Sequence, residues 1–243
     1  MEFQRMEEHS ATIPSGIYVI IPAFNEEEAI GKVLKDIPID WVEEVIVVSN
    51  GSTDQTDAVA KAAGATVLRE EKKGYGAACL KGIHYLDEKL PEEKPQIVVF
   101  LDGDYSDYPQ QLPEVVAPII RDQYDMVIGS RELGDRQRGA MMPQQIFGNW
   151  LATTLIRMLY RYRFTDLGPF RAITYAALKK INMQDTTYGW TVEMQVKAAK
   201  LKLKATEVAV DYRTRIGVSK VTGTVKGTIL AGYKILWTIF KLL

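Results

Sequence analysis

Ile97-Val98-Val99-Phe100-Leu101-Asp102-Gly103-Asp104 is an unbroken apolar run that stops at two carboxylates. Short and rich in β-branched and aromatic residues, it reads as a strand buried on both faces. The same grammar recurs along the first half. Ile17–Ile21 is closed by Pro22, Val45–Val48 runs into Ser49-Asn50-Gly51-Ser52, and Met126–Ile128 leads to Gly129-Ser130-Arg131. Ala65–Leu68 reads as a further short strand. Helical patterns separate the strands. Asn25 is expected to cap a helix through about Asp36, with Glu26 to Glu28 in its first turn. An Ala-rich helix to about Ala63, a helix over Gly74–Leu86 and one over Gln110–Ile120 follow. This alternation predicts an α/β fold, a three-layer sandwich with a mainly parallel sheet between helices. Ligands of such sheets bind at the carboxyl ends of the strands, where Asn25, Asn50, Asp102, Asp104 and Arg131 all fall. The glycine-rich dinucleotide fingerprint and the P-loop are both missing, so a dinucleotide or ATP is not held in those ways.

The rest of the composition narrows the classes further. At 243 residues, 47% hydrophobic and 25% charged, the chain suits one folded α/β domain with a small appendage. A lone cysteine, Cys79, excludes a disulfide framework and a cysteine-rich zinc site. Two histidines, His9 and His84, argue against a His-based metal site or a Ser-His-Asp triad. Glu2, Glu7 and Glu8 with no apolar core argue against a secretory leader. No run reaches about 18 uncharged apolar residues, so a cytoplasmic location is the expectation. The net charge of −1 hides an asymmetry: residues 1–130 hold 11 basic and 24 acidic residues, leaving 19 and 7 for 131–243. A basic second half is expected to face phosphate groups or an acidic membrane surface, whereas the acidic first half argues against nucleic acid.

That second half reads as helix 144–163, helix Thr187–Leu201, a strand near Ala205–Tyr212, and a basic amphipathic helix over Val221–Leu243. Trp237, Tyr233 and Phe240 beside Lys234 and Lys241 suit a membrane interface. Packing on the chain's own domain or on a second copy in a homo-oligomer is the alternative. The expected organisation is an extension over 1–15, a catalytic domain over 16–220 and the amphipathic helix over 221–243.

Chemistry concentrates in few residues. Asp102 and Asp104 offer hard oxygen ligands that suit Mg²⁺ or Mn²⁺ shared with substrate phosphates. Arg131 is placed to neutralise charge on a diphosphate leaving group, or else to pair with an aspartate. Lys73 is a second diphosphate candidate.

Taken in order, these motifs resemble the family 2 glycosyltransferases of the GT-A fold. The resemblance covers Val19-Ile20-Ile21-Pro22-Ala23-Phe24-Asn25-Glu26-Glu27, the segment Val45 to Asp54, Asp102-Gly103-Asp104 as the D-x-D motif, and Ile128-Gly129-Ser130-Arg131. Asp166-Leu167-Gly168-Pro169-Phe170-Arg171, Glu193-Met194 and Gly217-Val218-Ser219-Lys220 are similar to the branch that makes dolichyl- or polyprenyl-phosphate sugars. The resemblance implies a nucleotide diphosphate sugar donor, UDP- or GDP-linked. Pro22, Ala23, Asn25, Glu26, Asn50 and Ser52 would form the nucleoside pocket. Asp102 and Asp104 would hold the diphosphate through a divalent metal, with Lys73, Arg215 and Lys220 adding charge. Two departures stand out. The family usually has two acids where this chain has Ser49-Asn50. Its basic residue before the Gly-x-Ser-Lys segment is displaced, leaving Thr214 between Arg213 and Arg215.

The acceptor is the open question at this level. A hydroxyl acceptor needs a carboxylate base, whereas a phosphate acceptor is already ionised and needs cations. Arg131, Arg136, Arg138, Arg157, Arg161, Arg163, Arg213 and Arg215 form a candidate phosphate cradle. Glu193 is either a base or an orienting group. The leading expectation is an inverting enzyme that transfers a hexose to polyprenyl phosphate, acting peripherally at the inner membrane face. Transfer to a hydroxyl of a saccharide or small molecule is the alternative.

Overall fold

A computed structural model describes residues 16–217 and 225–243. The expected extension over 1–15, together with Val218, Ser219 and Lys220, lies outside the described residues. The chain runs β1 (Ile17–Ala23), α1 (Ile30–Asp36), β2 (Glu44–Ser49), α2 (Thr56–Ala62), β3 (Thr66–Arg69) and α3 (Tyr75–Glu88). It continues through β4 (Ile97–Phe100), α4 (Leu112–Asp122), β5 (Met126–Ser130), α5 (Pro143–Tyr160), β6 (Arg171–Thr174) and α6 (Tyr175–Ile181). α7 (Trp190–Lys200), β7 (Ala205–Ala209) and α8 (Val225–Lys241) complete it.

Seven strands form one sheet in the order β3-β2-β1-β4-β6-β5-β7. β1 lies parallel to both β2 and β4, with Tyr18 opposite Glu44 on one side and Val98 on the other. β5 and β7 are likewise parallel. Alternate residues of each strand enter two separate cores. Tyr18, Ile20, Val98 and Phe100 face α3, α5, α6 and α7, while Ile17, Val19, Ile21 and Val99 face α1, α2 and α4. The three-layer α/β architecture is the expected one, and burial on both faces explains why these strands read as continuous apolar runs.

Three details differ from the sequence reading. Asn25 is not a helix cap: its φ is +53°, and α1 begins only at Ile30. The hydrogen bonds of its turn go across the chain instead. Asn25 accepts from the Thr53 N–H, and Asn25 and Glu26 donate their N–H groups to Ser52 Oγ and Thr56 Oγ1. The second difference is β6, an antiparallel strand inserted between β4 and β5. It opens on Arg171, so no apolar run announces it. That side chain is fully buried, and its guanidinium donates to the carbonyls of Gly168 and Leu167 and, at 3.0 Å, of Thr191. Burial lowers the Arg171 pKa to about 10, so it stays charged at neutral pH while tying loop 166–170 to α7. Third, β7 ends at Ala209, short of Tyr212. The chain then crosses back over the end of β4, where Arg213 and Ile216 donate their N–H groups to the carbonyls of Ser106 and Asp104.

Candidate active site

The carboxyl ends of β1, β2 and β4 open into a cavity of about 280 Å³. Pro22, Ala23, Glu26, Asn50, Lys73, Asp102, Asp104 and Arg215 all line it. A second cavity of about 310 Å³ shares Asp102, Asp104, Tyr75, Tyr188 and Arg215 with the first, and continues past Arg131 between α5 and α8. The two aspartates therefore sit at a junction. Asp102, Asp104 and Arg131 converge on one cleft as a shared site requires.

Each carboxylate is held by a different partner. Asp102 accepts a 2.9 Å hydrogen bond from the Tyr75 hydroxyl. Asp104 accepts from the backbone N–H and hydroxyl of Ser106 and pairs with Arg215 at 3.0 Å. Arg215 also reaches Glu26 at 3.1 Å, so one guanidinium bridges the two acids across the first cavity. Arg213 is used elsewhere. Its guanidinium lies against the rings of Tyr105 and Tyr108, and its Nε donates to the Tyr105 carbonyl. Of the two arginines flanking Thr214, Arg215 is thus the one in the cleft, while Arg213 clamps the crossing segment.

Negative charge accumulates at this point. Burial, and then the neighbouring Asp104, push the Asp102 carboxyl up to about 6. Burial and the same two aspartates push Asp107 well up, and neither of its carboxylate oxygens has a hydrogen-bond partner among the described residues. Such crowding fits a divalent cation, and a protein contribution of two carboxylates leaves the remaining positions to phosphate oxygens and water. A pH dependence follows. A metal held by Asp102 would need that carboxyl ionised, so Mn²⁺-dependent binding of UDP or GDP, measured by calorimetry, is expected to weaken about tenfold per pH unit below about 6. Stability of the ligand-free chain runs the other way. The folded pKa lies above the ordinary 3.8, so the folded state binds the proton more tightly and gains stability as pH falls from about 6 towards 3.8.

Asn50 explains one departure from the acidic pattern. Its amide donates to the carbonyls of Glu70 and Lys72, and its oxygen accepts the Gly74 N–H at 2.7 Å. The side chain is thereby occupied in shaping loop 70–74, which places the Lys73 ammonium 5.7 Å from the Phe24 ring centre. An aspartate could keep the bond from Gly74 but could not donate to the two carbonyls. Asn50→Asp is expected to raise the nucleotide Kd by about tenfold, from about 1–2 kcal/mol of lost hydrogen bonding. Titration of the variant with UDP and GDP checks this.

Several expected site residues are not brought into the cleft. Asn25 and Ser52 shape the turn beside it but line neither cavity. Arg131 does reach the two aspartates, but through the second cavity rather than the first. It forms a two-pronged ion pair with fully buried Asp166, at 2.7 Å for both Nε and Nη2. Arg136, Arg138, Arg157, Arg161 and Arg163 line neither cavity, so of the arginines expected in a phosphate cradle only Arg131 and Arg215 do, among the described residues. Glu193 is also elsewhere. Its carboxylate accepts the N–H groups of Gln184 and Asp185 and pairs with Lys197 at 2.7 Å, so it fastens a loop rather than facing a substrate. That loop matters indirectly. Thr186 and Thr187 accept from Ala77 and Gly76 at the start of α3, beside Tyr75. A Cβ on Gly76 would fall 2.0 Å from the Asp185 carbonyl, which is why glycine is required there. Tyr75 and Tyr188 were not legible as site residues. The only signal for Tyr75 was its place directly after a glycine turn.

Residues 18–182 match the model of the family described as glycosyl transferase family 2. The chain belongs to that family. It is therefore a glycosyltransferase, and the fold and enzyme class expected from the sequence hold. A protein of Methanocaldococcus jannaschii is 33% identical over 92% of this chain and 90% of its own length. A dolichyl-phosphate hexose transferase of Haloferax volcanii is 32% identical over 84% of this chain and 85% of its own. Among solved structures, glucosyl-3-phosphoglycerate synthase of Mycobacterium tuberculosis, in complex with Mn²⁺, UDP and glucosyl-3-phosphoglycerate, superposes with a TM-score of 0.73. It is 21% identical and covers 93% of this chain and 79% of its own, a likeness of fold.

Proposed function

We propose that this glycosyltransferase moves a hexose, with inversion, from a UDP- or GDP-linked donor to polyprenyl or dolichyl phosphate at the cytoplasmic face of a membrane. The second cavity carries the reading. Among the described residues its lining carboxylates are Asp102 and Asp104, both committed to the cation site, and its lining cations are Arg131 and Arg215. A hydroxyl acceptor would find no spare base there, whereas an ionised phosphate needs none. The outer wall, Ala231, Gly232 and Ile235 of α8, suits an apolar chain rather than a saccharide. The similarity to a dolichyl-phosphate hexose transferase supports the same acceptor class.

In this reading Pro22, Ala23, Glu26 and Asn50 wall the nucleoside. Asp102 and Asp104 would hold a divalent metal, which supplies charge neutralisation at the diphosphate. Lys73 and Arg215 bind diphosphate oxygens, Arg215 exchanging its carboxylate partners for them. Arg131, fixed by Asp166, meets the acceptor phosphate and holds it in line. One acceptor oxygen bonds to the anomeric carbon as the bond from that carbon to the donor diphosphate breaks. The nucleoside diphosphate departs with the electron pair, and no proton need move.

The test is incubation with radiolabelled UDP- and GDP-hexoses, Mg²⁺ or Mn²⁺, and polyprenyl phosphate. Label extractable into organic solvent is expected with one donor; its absence with every donor removes the lipid acceptor. Glu193→Gln separates the acceptor classes. A general base contributes about 10²–10⁴-fold, so loss of turnover on that scale would restore the hydroxyl reading. The expected result is a lower Tm with kcat kept within about tenfold.

A further inference from the structure

α5 and α8 lie side by side, clasped where the Tyr160 hydroxyl donates to the Ile239 carbonyl. Each keeps an apolar face turned to solvent. Phe147, Trp150 and Met158 on α5, and Tyr233, Trp237 and Phe240 on α8, are each more than half exposed. Spacings of three, eight and eleven residues on α5, and of three, four and seven on α8, gather each set into one stripe. Among the described residues no helix is long and apolar enough to cross a membrane. Neither helix carries a single Asp or Glu.

Beside the stripe on α5 lies a polar feature. A shallow cavity of about 750 Å³ lies between Ile146, Trp150 and Thr153 on the helix and the segment 163–165. Arg157 and Arg163 both line it. Both are exposed, and among the described residues neither guanidinium has a hydrogen-bond or ion-pair partner. Among the described residues the one carboxylate on its wall, Glu132, is already paired with Arg136 at 2.7 Å. Two unpaired guanidinium groups beside an exposed indole, at the rim of an apolar stripe, match an anionic phospholipid: phosphate to the arginines, acyl chains to the rings.

We infer that α5 and α8 form the face by which this chain lies on an anionic bilayer, with a phospholipid headgroup seated between Arg157 and Arg163. A second copy fits less well. A two-fold interface would set these same cations against each other with no acid on either helix to offset them. The face gains its purpose from the proposed lipid acceptor and in that sense rests on it. It would hold the mouth of the second cavity, between the same two helices, at the depth of a lipid phosphate.

The experiment is co-sedimentation of the full chain with phosphatidylcholine vesicles, with and without roughly a third phosphatidylglycerol, at low and high salt. Binding to the anionic vesicles is expected, about tenfold or more weaker on neutral ones or in the Arg157→Gln/Arg163→Gln variant. Trp150→Ala/Trp237→Ala is expected to lose most binding to both. No vesicle binding, or equal binding to both compositions, overturns the inference, and that comparison needs no variant. So does a concentration-dependent dimer that Trp150→Glu dissolves. Mn²⁺-dependent UDP or GDP binding reads the cleft separately and reports folding of each variant. If transfer to polyprenyl phosphate fails while anionic vesicles bind, the function reading falls and this face stands.

Discussion

Asp102→Asn and Asp104→Asn are each expected to lower kcat/KM by roughly a thousandfold, about 4 kcal/mol of transition-state stabilisation. In the proposed reaction either change removes one of the two carboxylates that would hold the metal at the junction of the cavities, and with it the grip on the departing diphosphate. The substitutions are nearly isosteric. An Asn oxygen at 102 can still accept from Tyr75, and one at 104 from Ser106, so the fold is expected to survive. Asp102→Asn should even hold or raise the Tm of the ligand-free chain, because a buried carboxyl already pushed up to about 6 is costly to keep ionised at neutral pH. Lost metal-dependent nucleotide binding with a retained Tm is the signature to measure. Unchanged turnover in both variants would remove the metal site and the reaction built on it.

Asp166→Ala is expected to cause a large loss of stability. Asp166 is fully buried and the Arg131 side chain nearly so. Burial pushes the Asp166 carboxyl up, but the Arg131 guanidinium more than reverses this and holds it below the usual range. Removing the acid strands a buried guanidinium, at a cost of about 3–5 kcal/mol. For a chain of this size that is a fall in Tm of roughly 10 °C, readable by thermal denaturation. The double variant Arg131→Met/Asp166→Leu separates stability from function. Replacing both charges with apolar groups should recover much of the Tm, since no charge is left unpaired. Activity should not return if Arg131 is, as proposed, the cation that meets the acceptor phosphate. A double variant as active as the wild type would make Arg131 a purely structural residue.

The layers, the strand polarity and the place of the carboxylate pair were legible because burial on both faces leaves runs such as Ile97–Leu101 with no polar interruption. β6 was not legible. It is four residues long and starts with Arg171, whose charge is satisfied only by carbonyls contributed from loop 166–170 and α7. Asn25 misled for a related reason. A residue that can cap a helix can also adopt a positive φ, and its partners at 52–56 decided between the two.

The sequence by itself determined that a sheet of buried strands would end in two adjacent acids, because local apolar runs and strand-end chemistry are properties of neighbouring residues. Only the tertiary structure decided which distant groups meet those acids. It brought Arg215 to Asp104 and sent Arg213 to the tyrosines. It paired Arg131 with Asp166 and turned Glu193 to the loop at 184–185. Each choice depends on contacts between segments far apart in the chain, where direction and burial, not residue type, select the partner.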